Sequence, residues 1–166
     1  MHWPRRLAAA ALLLLASAAG ADRPDWPEAD EVVVRKAART LELYAQGQVI
    51  RRMTGIQLGR EPLGPKRFEG DGRTPEGRYT VDWGNEASGY HLSLHISYPD
   101  AADSAFAAAQ GRSAGGAIFL HGQPNDWAGP ERVPGDCTAG CIALSDAEIE
   151  ELWQRVPDGT PIRIEA

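Results

Sequence analysis

Along the chain, apolar positions fall mostly in short alternating runs, the period of a half-buried strand rather than of a helix. Val32-Val33-Val34 is a β-branched core, and Leu41, Leu43 and Ala45 alternate with Glu42 and Tyr44, so two strands are predicted there. Gln46-Gly47-Gln48 reads as a hairpin turn, from which Val49 to Met53 returns as a third strand that Ile56 to Gly59 can extend. Leu63 to Gly77 has no period and is rich in Gly and Pro; it is predicted as a long ordered loop closing on a Thr74-Pro75-Glu76-Gly77 turn. Alternation resumes at Arg78 to Trp83 and at His91 to Tyr98, where Leu92, Leu94 and Ile96 share one face and His91, Ser93 and His95 the other.

Two helices are predicted. Asp100 caps the first, with Ala105, Phe106 and Ala109 as its apolar stripe and Gly111 as its stop. Ser145 with Glu148 three residues on is a capping box for the second, whose buried face is Ile149, Leu152, Trp153 and Val156. Between them lie a short strand at Ala117 to Leu120, an irregular loop from Gln123 to Asp136 and a compact apolar segment at Cys141 to Leu144. Pro161 to Ile164 is the last strand. Gly 18 and Pro 12 in 166 residues suit many short strands joined by turns, and the 43% hydrophobic and 24% charged residues are those of a globular chain.

The N-terminus reads differently. Arg5 and Arg6 precede an unbroken apolar run from Leu7 to Ala16, and Ala19-Gly20-Ala21 supplies small residues for cleavage. Residues 1–21 are therefore expected to be a secretory signal peptide; the apolar run is too short for a membrane span, which takes about 20 residues. Residues 22–30 read as a Pro- and acid-rich linker, and residues 31–166 as one domain. The expected location is the periplasm, without stable membrane insertion after cleavage. The formal net charge is −6, and loss of Arg5 and Arg6 makes the remainder more acidic still. No run of Lys or Arg remains, which argues against nucleic acid as a partner. Two Cys exclude a disulfide scaffold and a zinc site built of thiolates alone.

Two segments carry candidate chemistry: Ile118-Phe119-Leu120-His121-Gly122, which delivers a His at a strand end, and Gly135-Asp136-Cys137-Thr138-Ala139-Gly140-Cys141-Ile142-Ala143-Leu144. A thiol reacts as thiolate and needs a base, and a glycine before it lets backbone N–H groups approach a reacting carbonyl. Cys137 and Cys141 also allow the bland reading, an exported disulfide pair, if the turn brings their Cα atoms within about 7 Å. His91 and His95 read as surface or cross-strand polar residues, and Trp83 and Tyr98 as core or cleft aromatics.

At these residues the chain resembles the L,D-transpeptidase catalytic domain of the YkuD type, which acts on bacterial peptidoglycan, and within it a branch of YafK-like sequences. The family pattern is His-Gly followed by Ser-His-Gly-Cys-x-Arg; here His121-Gly122 precedes Gly140-Cys141 by the same kind of interval. Val32 to Tyr44, Gly64-Pro65-Lys66, Gly70 to Gly77 and Ile96-Ser97-Tyr98-Pro99 extend the likeness over roughly residues 31 to 165. Ala139 stands where the motif has its second His, and Ala143 where it has its Arg.

The resemblance implies a mostly β (α+β) fold, two mixed β-sheets packed as a sandwich or flattened barrel with short helices, an expectation the strand count shares. It implies Cys141 as nucleophile, His121 as general base, Gly122 orienting His121 through its carbonyl, and Gly140 with Cys141 supplying oxyanion N–H groups. Thr138, Arg73 and Lys66 are candidate substrate-binding residues. The implied reaction is a thioester with the L-centre carbonyl of a peptidoglycan stem tetrapeptide, passed to an amine acceptor. Hydrolysis of the same thioester by water is the alternative, and a non-catalytic envelope binding module the third reading. No metal or organic cofactor is implied.

Overall fold

In the computed structural model of the protein, residues 26–166 are described. The signal-peptide expectation for residues 1–21, and the start of the linker, lie outside them. The strands are β1 (Glu31–Arg35), β2 (Thr40–Ala45), β3 (Gln48–Thr54), β4 (Gly77–Ser88), β5 (His91–Ile96), β6 (Ile118–His121), β7 (Ile142–Ala143) and β8 (Thr160–Glu165). The helices are α1 (Ala101–Ala108) and α2 (Asp146–Arg155). The fold is mostly β with few helices, as expected. The two expected sheets, however, are one continuous mixed sheet in the order β3-β2-β1-β8-β4-β5-β6-β7. The reason is β8: it pairs in parallel with β1 and antiparallel with β4, so the last strand of the chain welds the two strand groups together.

This sheet curls, and the segment after β3 nearly closes it. Residues 56–59, read above as an extension of β3, form isolated bridges Gln57–Ala143 and Gly59–Thr138 instead, joining one edge of the sheet to the other. The hairpin between β2 and β3 turns at Gln46 (φ 53) and Gly47 (φ 77), as the sequence signalled. The expected capping box of Ser145 with Glu148 forms on α2, and on α1 the expected cap Asp100 forms a box with Asp103 as well. On α2 the apolar stripe is buried, with Ile149 and Leu152 fully so. On α1 the expected stripe fails. Only Ala107 is buried, and Phe106 is 41% exposed, packed instead beside Phe68 and under the Arg67 guanidinium.

Strand periodicity separates core from surface. Leu94, Ile96, Leu120 and Ile142 point into the curl, where they pack with Val32, Leu41, Ile162 and the α2 stripe. The alternate positions on β5, β6 and β7 face the other way, and that face carries the chemistry described below. The end of the expected linker is docked: Ala29 is buried, its N–H donates to the Arg155 carbonyl at 2.7 Å, and the Arg155 guanidinium lies over Trp26.

The loop between residues 60 and 77 is ordered by buried charge. Lys36 Nζ donates to the Gly64 and Thr74 carbonyls and to Glu76 at 2.7, 3.0 and 2.9 Å, holding the loop to the end of β1. No turn forms at Thr74 to Glu76; the Thr74 hydroxyl instead accepts from Gly59 N–H at 3.0 Å, and β4 starts at Gly77. Asp71 is the hub: it accepts from the backbone of Arg67, Phe68 and Arg73 and from Lys66 Nζ at 2.9 Å. Burial alone would raise its pKa, but these donors outweigh it and hold the carboxyl at about 2.

Asp71→Asn should therefore leave the buried Lys66 ammonium with only the Phe68 carbonyl and cost about 1–3 kcal/mol in a denaturant titration. Because the native carboxyl is depressed, its stabilisation is present above the ordinary carboxylate range and fades as pH falls from about 4 toward 2, a pH dependence the Asn variant should lack.

Candidate active site

The register of three strands builds the site. Ser93 on β5 lies opposite His121 on β6, and His121 opposite Ala143 on β7. Phe119 and His121 are two apart on β6, and Cys141 and Ala143 likewise at β7, so all four side chains share the face opposite the core. They line one cavity of about 630 Å³, with Tyr90, Gly122, Cys137 and Thr138 among the other residues around it.

His121 is 6% exposed, and its Nδ1 lies 2.6 Å from the Gly122 carbonyl oxygen. A carbonyl can only accept, so Nδ1 carries the proton and Nε2 is left as the basic nitrogen. Burial lowers the imidazole pKa below its usual value, with the Gly122 carbonyl acting in the opposite sense, so the ring is neutral near pH 7. The Tyr90 ring covers it at 4.6 Å between centroids. Gly122 is held in turn: its N–H reaches the Tyr90 and Leu92 carbonyls at 3.0 and 3.2 Å, and a Cβ there would come within 2.6 Å of Asp146 at the start of α2.

Cys141 follows a glycine that no other residue could replace. Gly140 has φ +142, and a Cβ on it would lie 2.6 Å from the Arg73 carbonyl oxygen. Thr138 clamps the turn: its hydroxyl donates to the Cys141 carbonyl at 2.7 Å and accepts from the Gly140 N–H at 3.0 Å. The Gly140 N–H, expected as an oxyanion donor, is thus already engaged. No hydrogen bond holds the Cys141 N–H among the described residues. The Cys141 thiol donates weakly to the Ala117 carbonyl at 3.6 Å. Burial pushes its pKa up, against the Phe119 N–H and the Lys66 ammonium, which favour the thiolate. Cys137 is also raised, first by burial and then by Asp136, and both cysteines are free thiols.

The remaining candidates are distributed otherwise. Lys66 and Arg73 do not line the cavity: Lys66 is buried against Asp71 and the Phe68 carbonyl, and the Arg73 guanidinium lies beside Gly64. His91 pairs with Glu150 and His95 with Asp82, each at 2.7 Å. Trp83 stacks on His95 and is 44% exposed, whereas Tyr98 is core. Tyr90 and Arg60 line the cavity and were not singled out by sequence. Tyr90 had no motif around it, and Arg60 is brought in by the bridge at Gly59, a non-local pairing. Among the described residues no group of three or more His, Cys, Asp or Glu could hold a metal ion.

A family model, the YkuD L,D-transpeptidase catalytic domain, matches residues 29–164. The chain belongs to that family. The YafK protein of Escherichia coli (strain K12), whose name carries L,D-transpeptidase activity as a proposal, is 28% identical over 131 residues, 75% of this chain and 46% of that protein. Among solved structures, the helical cell shape determining protein Pgp2 from Campylobacter jejuni matches with TM-score 0.64 and 30% identity, covering 81% of this chain and 46% of that one. L,D-transpeptidase 1 of Mycobacterium tuberculosis shares the fold, with TM-score 0.52 at 16% identity. The chain spans about half the length of YafK and Pgp2.

The two pKa directions make the resting pair a thiol beside a neutral imidazole rather than a thiolate–imidazolium pair. In a Cys137→Ser protein, alkylation of Cys141 by iodoacetamide should keep accelerating past the ordinary thiol pKa of about 8.5. A plateau reached between about pH 5 and 8 would show a preformed ion pair instead.

Proposed function

We propose that this protein is a peptidoglycan L,D-transpeptidase working through a Cys141 thioester. The observation that carries the reading is the shared cavity, lined both by Cys141 and by a buried His121 whose Nδ1 is tied to the Gly122 carbonyl. Family membership supports the reaction class, and the likeness to Pgp2 supports a role in cell-wall shape. The expected export signal fits action on the wall outside the inner membrane.

In the proposed cycle the thiol leaves the Ala117 carbonyl and turns to His121, whose Nε2 takes the Sγ proton. The thiolate adds to the carbonyl carbon of the L-centred third stem residue. The Cys141 N–H, being unengaged, is the donor available to the oxyanion. The C–N bond to the terminal D-residue then breaks, and His121 returns the proton to the leaving amine. An acceptor amine, deprotonated by the same Nε2, attacks the thioester and releases Cys141. Water in place of the amine would give hydrolysis. Thr138 acts as a positioning residue, its hydroxyl fixing the Gly140–Cys141 turn.

Mass spectrometry of the protein with tetrapeptide-bearing wall fragments, with and without an amine acceptor, tests this. A thioester adduct should form on wild type and on Cys137→Ser, be absent from Cys141→Ala, and form at least ~10²-fold more slowly on folded His121→Ala. The new amide product should depend on the amine. Free tripeptide regardless of amine would make the enzyme a hydrolase, and an adduct elsewhere than Cys141 would overturn the mechanism.

A further inference from the structure

Arg60 sits at the rim of the cavity with nothing to do for the fold. Its backbone N–H is fixed to the Thr138 carbonyl at 3.1 Å, directly behind the Thr138 clamp. Its side chain is exposed, and among the described residues it makes no salt bridge and no hydrogen bond. Of the other cations around the site, Lys66 pairs with Asp71, Arg39 with Asp136, and Arg132 with Glu148 and the Thr54 and Gly55 carbonyls, while the Arg73 guanidinium lies beside Gly64, outside the cavity lining. The cavity wall contains no Asp, Glu or Lys, so Arg60 is its one permanently charged residue. Arg60 and Cys137 both line this cavity. Ala143, on the same wall, offers only a methyl group.

A lone, unpaired guanidinium at the mouth of a largely neutral cavity is a receptor for an anion, and its planar fork matches a carboxylate. In an acidic chain such an arrangement also draws an anionic ligand toward this cavity. We infer that Arg60 binds a carboxylate of the peptide substrate and thereby sets specificity for acidic stem peptides. The inference rests on the stem-peptide reading above. Two carboxylates could meet it: the terminal one of the leaving D-residue, or the side-chain one of a diaminopimelate at the third position.

The test separates binding from chemistry. In a Cys141→Ala background, calorimetry compares a tetrapeptide containing diaminopimelate with its C-terminal amide and with the analogue carrying lysine at the third position. Whichever carboxylate Arg60 holds, its removal should weaken binding by roughly 10- to 100-fold. Adding Arg60→Ala should lower affinity for the parent peptide by the same factor and abolish the difference between the peptides, while Arg60→Lys should restore part of it. Thermal melting should be unchanged, because the side chain has no partner to lose. Equal affinities with and without Arg60 would overturn the inference, and so would absence of binding. If peptides bind through Arg60 but wild type forms no thioester, the proposed activity fails and this assignment stands. If thioester forms equally fast on wild type and Arg60→Ala from acid and amide alike, the assignment fails and the activity stands.

Discussion

The hydrogen bond from His121 Nδ1 to the Gly122 carbonyl, at 2.6 Å, is the constraint around which the site is arranged. It joins adjacent residues, so it holds only if the backbone between them is rigid. That rigidity comes from three directions. The Gly122 N–H is shared by the Tyr90 and Leu92 carbonyls, the His121 carbonyl accepts from Leu144 N–H at 2.9 Å, and the start of α2 leaves no room for a Cβ at Gly122. One edge of the sheet, the turn before β5 and the cap of α2 thus converge on one imidazole. Its orientation and its neutral state follow from the same burial that makes the fold stable.

Cys141, the proposed nucleophile, is held by a different device. Cys141 hangs from a turn that Thr138 ties together, Gly140 fits against the Arg73 carbonyl, and residues 58–60 brace from outside. The brace and the long loop are interlocked through Thr74 and Gly59, and the loop is held by Lys36 and Asp71. Segments far apart in the chain therefore set the position of one sulfur atom. Ion pairs that look remote from the chemistry, such as Lys66 with Asp71, act on it through this loop.

Much of this was legible along the chain because it is local. Alternation at His91 to Tyr98 separated Ser93 from Leu94 and Ile96 correctly, the Ser145 and Glu148 box started α2 where expected, and Gln46-Gly47 turned the first hairpin. What stayed hidden is non-local. The welding of the strands into one sheet depends on β8 returning beside β1. Arg60 enters the cavity through a bridge between Gly59 and Thr138, and Tyr90 meets His121 across strands. The α1 stripe misled because Phe106 finds its partners in the long loop rather than in the core.

The state of His121 is the point at which fold and chemistry meet. Nitrogen-15 NMR of the histidine side chains, followed through pH, measures it directly. The account predicts that His121 at pH 7 is the neutral Nδ1–H tautomer with a bare Nε2, titrating below the ordinary histidine value of about 6.5. An imidazolium at pH 7, or a proton residing on Nε2, would contradict it.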